Sequence, residues 1–351
     1  QNERVTWGAT TNPMDVTDLF RDRIVSGNVP GCPATACVVS GSEFYPLKVE
    51  VASYLANTPG DGQLDNVGDA GVPLGQRFVL TVDDERRSFG PIVDIDDSGV
   101  LFGSGETHAL VLQYTGFHAT REAETFLRWA RARTLPEFLD GLALFDAGSQ
   151  NWAYADSDGH VGYFSSSELP LRKDLENGAV VGRPPFFVRD GTTGENNWVY
   201  DPARSQGQTI PFAVMPFAEM PQTLDPANGF FVNANNDPAG TSLDNDPLNQ
   251  HRPSKPGAIY YLNSGYSDGL RAGRITRLLK AKLDRGETID AQYLRWMQGN
   301  TQQLDAELMT PHLLQAWANA AAPGAALELA ALAADPRVAE AIGRLSRWDY
   351  S

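Results

Sequence analysis

The sequence predicts an α+β fold, because strand-like and helix-like segments occupy different parts of the chain. The first third of the 351 residues alternates short apolar runs with clusters of Gly, Asn and Asp, which is typical of antiparallel strands joined by turns. From Gly269 onward the pattern changes to amphipathic helices. Strands followed by helices favour α+β over alternating βαβ units. We therefore divide the chain into a β-rich part, residues 1–265, and a helical part, residues 266–351.

Several segments of the first part have the composition of individual strands. The predicted strands are residues 36–39, 47–51, 77–82, 91–95 and 108–114. Residues 151–164 predict a hairpin of two aromatic-rich strands joined by Ser157, Asp158 and Gly159. Residues 165 to about 258 are rich in Pro, Gly, Asn and Asp, which indicates long loops over a scaffold. One further strand, residues 229–233, is predicted to interrupt these loops.

Helices are predicted at two places in the chain. Residues 121–132 place Phe126, Leu127 and Ala130 on one apolar stripe, and a second helix follows at residues 135–145. The predicted helices of the last part are residues 270–282, 290–299, 301–318 and 337–348. Asp290 is suited to cap the second of these, and Pro336 to begin the last.

The composition argues against several classes of function. With 28 basic and 44 acidic residues, the formal net charge is −16, which repels nucleic-acid backbones and anionic lipids but is compatible with cations. No apolar run is long enough to predict a transmembrane helix. Cys32 and Cys37 are too few and wrongly spaced for a thiolate metal site or a redox pair. They are either unrelated thiols in a turn or, in an exported protein, a short-loop disulfide.

Two polar clusters have both an ordinary and a functional interpretation. Asp15 and Asp18, three residues apart, can converge on a hard cation, or can lie in a solvated turn. Asn235 and Asn236 follow the predicted strand at residues 229–233. Their side-chain amides can donate to a developing oxyanion, but asparagine is also a common turn former. The local pattern alone favours the turn interpretation for both clusters.

Seven motifs, taken together, point to a known family. In chain order they are VTWGATTNPMDVTDLF, RSFGPIV (residues 87–93), ALVLQYTG, QNWAYADSDGHVGYF, IPFAVMPFAEMP, GFFVNANNDP and GLRAGRITRLL. With these motifs the chain resembles the penicillin-acylase family of N-terminal-nucleophile (Ntn) hydrolases. The resemblance implies an αββα sandwich with antiparallel sheets, long loops and a helical C-terminal part. It also implies a self-cleaving precursor, in which an exposed N-terminal Ser attacks the amide of an N-acyl substrate.

The resemblance assigns roles to individual residues of the reaction centre. The backbone N–H of Thr11 and the side-chain amide of Asn235 match the two oxyanion donors, with Asn236 as the alternative if the alignment shifts by one. Arg271 matches the arginine that supports the surroundings of the nucleophile.

The resemblance also assigns a metal site and a substrate pocket. The carboxylates of Asp15 and Asp18 and the carbonyl of Thr17 match structural Ca²⁺ ligands, and the same site has two looser candidates, the carbonyl of Pro185 and the carboxylate of Asp246. No organic cofactor is expected. The substrate-pocket positions are Ala9, Phe126 and Gln150. Because Gln150 is polar where some relatives have an aliphatic residue, an aromatic acyl group cannot be assumed.

The chain departs from the family pattern at its first residue. Only six residues precede Trp7, and Gln1 has no nucleophilic side chain, whereas the family places its Ser several tens of residues earlier. We therefore expect this chain to be an interior portion of the large subunit. The Ser, the small subunit and the remaining large-subunit segments are then partners supplied by the same precursor, and the chain alone is expected to be catalytically incomplete.

Other interpretations remain open from the sequence. The resemblance implies a periplasmic or secreted protein acting on β-lactam, acyl-homoserine lactone or lipopeptide amides. The first alternative is a non-catalytic Ca²⁺-binding module or an inactive fragment. The second is a carbohydrate-active enzyme with paired carboxylates, although no acidic pair is singled out by its surroundings.

Overall fold

The chain forms two compact units in the computed structural model, which describes residues 1–55, 60, 62, 73–84, 86, 90–204 and 210–351. The first unit contains Gln1–Phe230 and Ala239–Tyr266, and the second contains Phe231–Pro238 and Ser267–Ser351. The sequence-based division at residue 265 did not assign Phe231–Pro238 to the helical part. The first three residues of the RSFGPIV motif, 87–89, lie outside the described residues.

Among the described residues, strands predominate up to Ile259 and only helices follow from Leu270, which is the order of an α+β fold. In chain order the strands of the described residues are β1 (Val5–Thr11), β2 (Thr17–Ser26), β3 (Ala36–Ser40), β4 (Glu43–Leu55), β5 (Pro73–Val82), β6 (Ile92–Ile95), β7 (Gly105–Tyr114), β8 (Gln150–Asp156), β9 (Val161–Ser166), β10 (Arg189–Asp190), β11 (Gln222–Leu224), β12 (His251–Arg252) and β13 (Lys255–Ile259). The helices are α1 (Glu122–Arg131), α2 (Leu135–Leu142), α3 (Lys173–Glu176), α4 (Leu270–Leu283), α5 (Ala291–Gln298), α6 (Leu304–Ala320), α7 (Leu327–Ala334) and α8 (Pro336–Leu345).

The first unit contains two main sheets. A four-stranded antiparallel sheet has the order β1-β8-β9-β11. A second sheet has the order β5-β4-β3-β2-β7-β6, with β10 pairing in parallel with β2. Strands β3 and β4, and likewise β8 and β9, pair through short turns, as the alternating pattern predicted. The predicted hairpin is confirmed as β8 and β9, and each predicted strand before residue 115 lies within or overlaps an observed one.

An aromatic core packs α1 and α2 against the four-stranded sheet. Trp129 of α1 stacks on Phe138 of α2 with a centroid distance of 4.5 Å, and it meets Trp152 of β8 edge-on at 4.6 Å. The Trp129 indole N–H donates to the Phe138 carbonyl at 2.8 Å, so its only polar group is satisfied in the core. The buried face of α1 is Thr125 and Trp129, not the predicted stripe. Phe126 is 46% exposed and Leu127 is 61% exposed, because Thr125 and Trp129 are the residues of the helix that the core covers.

The second unit is helical, as predicted. The Asp290 carboxylate caps α5 by accepting from the Tyr293 N–H at 2.8 Å, and Pro336 is the first residue of α8. Helix α7 was not predicted, because its alanine-rich sequence has little periodicity. Among the described residues, no helix has both the length and the apolar character needed to span a membrane.

Two local expectations had different outcomes. Cys32 and Cys37 form a disulfide with a Cα–Cα distance of 5.9 Å, which decides between the alternatives left open by the sequence. The strand predicted at residues 229–233 is wrong: these residues have irregular backbone. Along the chain, the first unit ends at Phe230 and the second begins at Phe231. None of the described strands pairs with this segment.

Candidate active site

Thr11 is the last residue of an edge strand. Among the described strands, β1 pairs only with β8, and Thr11 lies opposite Gln150. The Asn151 side-chain amide donates to the Thr11 carbonyl at 3.0 Å, and the Tyr163 hydroxyl donates in turn to the Asn151 side-chain oxygen. Asn151 and Tyr163 are both buried. This buried chain of hydrogen bonds holds the end of β1 in one conformation, as a positioned backbone donor requires.

The residue after Thr11 strengthens this anchor. The Asn12 backbone N–H donates to the Ser149 carbonyl at 3.2 Å, and its side-chain amide donates to the Ser165 hydroxyl at 2.6 Å. Asn12 is only 2% exposed, so both contacts are formed away from water. The sequence analysis missed Asn12, Asn151 and Tyr163, although their polar character inside aromatic-rich strands was a visible signal.

The predicted pocket residues lie at the same end of this sheet. Ala9 and Thr11 are exposed and two residues apart on β1, so their side chains share a face. Gln150 pairs with Thr11, and Trp152 pairs with Ala9. The exposed ring of Phe126 meets Trp152 edge-on at a centroid distance of 6.2 Å. The first unit therefore brings Ala9, Phe126 and Gln150 into one neighbourhood of Thr11.

In the second unit, Arg271 of α4 holds Asn235. Its guanidinium donates to the Asn235 side-chain oxygen at 2.9 Å and to the Ser267 hydroxyl at 3.2 Å. The Ser267 N–H donates to the Asn235 carbonyl at 3.0 Å. Because the side-chain amide is planar, fixing its oxygen on Arg271 directs its NH₂ group to the other side.

The loop around Asn235 is built by asparagine side chains. The Asn233 side-chain oxygen accepts from the Asn235 N–H at 3.0 Å, and that of Asn236 accepts from the Ala234 N–H at 3.0 Å. Asn235 has φ +63°, a left-handed conformation that asparagine tolerates better than most residues. Asn236 thus caps its own loop, whereas Asn235 is the residue held by Arg271.

Asp15 and Asp18 converge on a buried arginine. The Arg172 guanidinium donates to Asp18 at 2.8 Å and lies 3.4 Å from the Asp15 carboxylate. The Trp198 indole N–H also donates to Asp18, and the Tyr261 hydroxyl donates to Asp15 at 2.6 Å. The side chains of Arg172 and Asp18 are 1% and 0% exposed. Arg172 was missed in the sequence, although a lone arginine in the apolar run LPLR was a signal.

The charges of this cluster shift its pKa values. Burial raises the pKa of Asp15, and the neighbouring Asp18 carboxylate raises it further, while Arg172 opposes both. Burial also raises the pKa of Tyr261, so that its hydroxyl stays a donor. Two carboxylates against one guanidinium leave a residual negative charge in a buried place.

Some of the predicted Ca²⁺ ligands lie together in this cluster, and others do not. Carboxylate and carbonyl oxygens are suitable Ca²⁺ ligands, and the residual charge favours a cation beside Asp15 and the Thr17 carbonyl. Asp246 lies in an exposed turn, where its carboxylate accepts from the Leu248 N–H at 3.1 Å. No contact joins Pro185 or Asp246 to Asp15 within the described residues, and no group of three or more acidic, His or Cys side chains converges there.

The structure is thus that of an α+β protein with an anchored edge strand, and its helical unit holds an asparagine on an arginine. Comparison with known proteins assigns the chain to a family. It belongs to the penicillin amidase family, whose model matches residues 1–351. Members of this family are amide hydrolases.

A solved structure supports the fold assignment. The chain is similar to the thermostable penicillin G acylase from Alcaligenes faecalis in orthorhombic form, with 19% sequence identity and a TM-score of 0.56. The match covers 95% of this chain and 47% of that one, so this chain spans about half the length of the acylase. The predicted Ntn-hydrolase-like α+β fold is thereby confirmed.

Proposed function

We propose that this chain supplies part of the active site of an acylase that hydrolyses the amide of an N-acyl substrate. The substrate classes are β-lactam, acyl-homoserine lactone and lipopeptide amides. Membership of the penicillin amidase family supports the reaction type. The observation that carries the proposal is the 2.9 Å hydrogen bond by which Arg271 orients the Asn235 amide.

In the proposed mechanism, an N-terminal Ser on a segment outside these 351 residues attacks the substrate carbonyl, and its own α-amino group accepts the proton. The Thr11 N–H and the Asn235 NH₂ group donate to the oxygen that becomes negatively charged. Removing one such donor typically lowers kcat by about 10²–10³-fold. Arg271 acts through Asn235 and is therefore a positioning residue. Ala9, Phe126 and Gln150 contact the acyl group.

The proposal includes structural calcium held by the Asp15 and Asp18 carboxylates and the Thr17 carbonyl, with Pro185 and Asp246 as further ligand candidates. When bound, Ca²⁺ neutralises the residual charge of the cluster and ties the start of β2 in place. Addition of Ca²⁺ after treatment with EDTA should raise the melting temperature of the wild type but not of Asp15→Asn. Equal melting temperatures with EDTA and with Ca²⁺ would contradict calcium binding.

The proposed partners are the small subunit and the remaining large-subunit segments of one precursor, together with the small-molecule substrate. No nucleic-acid partner is expected. A periplasmic or secreted location is supported by the Cys32–Cys37 disulfide, because disulfides persist in oxidising compartments. The alternative function is a non-catalytic Ca²⁺-binding module or an inactive fragment.

The test starts with the full precursor that contains these residues. Intact mass and N-terminal sequencing should find a processed chain that begins with Ser, and the sample should release acid from a panel of N-acyl amides. Asn235→Ala should lower kcat by about 10²-fold or more with little change in KM, whereas Asn228→Ala, at an exposed asparagine outside the loop that Asn233 and Asn236 build, serves as the matched control. An unprocessed protein without hydrolysis would favour the non-catalytic module. Equal kcat values for the two variants would remove Asn235 from the mechanism.

A further inference from the structure

A cavity of about 510 Å³ lies against β2 and β7 of the larger sheet and is lined by none of the proposed acylase residues. Its lining includes three arginines, Arg21, Arg183 and Arg189, but one carboxylate, that of Asp190. Arginine is thus concentrated here in a chain whose acidic residues outnumber its basic ones by 44 to 28. A concave site with clustered guanidinium groups is suited to an anionic ligand.

One wall of this cavity is rigid. Arg189 is fully buried, and its guanidinium donates to the Asp174 carboxylate, to the Arg183 carbonyl at 3.2 Å and to the Asn196 carbonyl at 3.5 Å. Because Arg189 is neutralised by Asp174, its role is to hold the backbone that carries Arg183. Strand β10 also pairs with β2, which places Asp190 beside Arg21. The site is therefore built on paired strands and a buried ion pair.

The side chains that line the cavity offer more hydrogen-bond donors than acceptors to a ligand. Arg183 is exposed, and no side chain of the described residues pairs with its guanidinium. The His108 imidazole is half-buried and likewise has no hydrogen-bond partner there. The Asp190 carboxylate accepts from the Thr192 N–H at 2.9 Å and from the Thr192 hydroxyl at 2.7 Å, both through one of its two oxygens. A ligand entering the cavity therefore meets the Arg183 guanidinium and the His108 imidazole against a single lining carboxylate.

We propose that this cavity binds a small organic carboxylate, which Arg183 holds through its guanidinium fork. Arg21 lies at the cavity with half its side chain exposed, and its surface pair with Asp96 at 2.7 Å is of the weak, exchangeable type. Arg21 and His108 are therefore the additional donors. The guanidinium plane matches a carboxylate in two hydrogen bonds. The volume exceeds that of an inorganic anion, and Val188 lines it, so the ligand carries an apolar group.

The test uses benzoate as the probe and benzamide as its neutral analogue, each titrated calorimetrically into the purified full-length protein. Benzoate should bind saturably and benzamide should not. Arg183→Ala should weaken benzoate binding about tenfold or more, the usual effect of losing a hydrogen bond to a charged group. Arg295→Ala is the matched control, because Arg295 of α5 is also exposed and unpaired among the described residues. It should bind benzoate as the wild type does.

Three results would overturn the proposal: no saturable benzoate binding, equal binding of benzamide, or unchanged affinity in Arg183→Ala. Because Arg183 is exposed, its replacement should leave the thermal melt unchanged, so a loss of binding is not explained by unfolding. Arg21→Ala provides a second variant and should weaken binding in the same direction. The proposal is independent of amide hydrolysis, since the titration measures binding at residues that the acylase mechanism does not use.

Discussion

The buried arginine at the Asp15–Asp18 cluster predicts a large loss of stability when it is neutralised. Arg172→Met keeps an apolar stem of similar length but removes the guanidinium. Asp18, whose side chain is 0% exposed, then loses its ion pair, and Asp15 loses the charge that opposes its desolvation. Removing one partner of a buried ion pair costs about 3–5 kcal/mol, since the remaining charge stays buried and uncompensated.

Urea denaturation of the wild type and the variant at pH 7 measures this loss. The control is Arg128→Met, because Arg128 pairs with Glu124 one helical turn away and both side chains are about half exposed. That change should cost only about 0.3–0.5 kcal/mol. The double variant Arg172→Met with Asp18→Asn should recover much of the loss, since it removes the orphaned charge. A loss below about 1 kcal/mol, or purely additive effects in the double variant, would refute the argument.

Three further predictions concern the anchor, a buried carboxyl and a helix cap. Asn151→Ala should lower kcat of the processed enzyme more than it raises KM, because the Thr11 carbonyl loses its 3.0 Å donor, and steady-state kinetics would check the split. Burial raises the pKa of Glu168 to about 7 from 4.5, so its contribution to stability is complete below about pH 4.5 and is lost as pH rises through 7. Urea melts should therefore show the wild type losing about 3 kcal/mol relative to Glu168→Gln between pH 5 and 8, and a constant difference would contradict this. Asp290→Ala should lower the free energy of unfolding by about 1 kcal/mol in the same assay, since α5 loses its cap.

Local sequence signals were sufficient for several local features of the structure. The β8–β9 hairpin follows from aromatic alternation around Ser157 and Gly159, and α5 begins where Asp290 can cap it. The family motifs likewise lie in contiguous stretches, so the resemblance needed no structure. These features depend on residues a few positions apart, whose interactions are set by backbone geometry.

Sequence patterns gave wrong predictions where the local structure depends on a partner that is distant in the sequence. The buried face of α1 was misassigned because a helix presents Phe126 and Trp129 on adjacent faces, and the position of the sheet selected Trp129. The strand predicted at residues 229–233 had the right composition, but none of the strands that the structure describes lies beside it. Backbone hydrogen bonds in a sheet require such a neighbour, which composition does not reveal.

The sequence by itself determined the α+β class, the hairpin, most helices and the residues to examine at Thr11, Asn235 and Asp15. Only the tertiary structure decided how those residues are held. Asn151 reaches Thr11 from 140 positions away, and Arg172 reaches Asp18 from 154 positions away. Such contacts form when separate elements pack together and buried polar groups must find partners. Their identity depends on the three-dimensional arrangement of the chain rather than on the spacing of its residues.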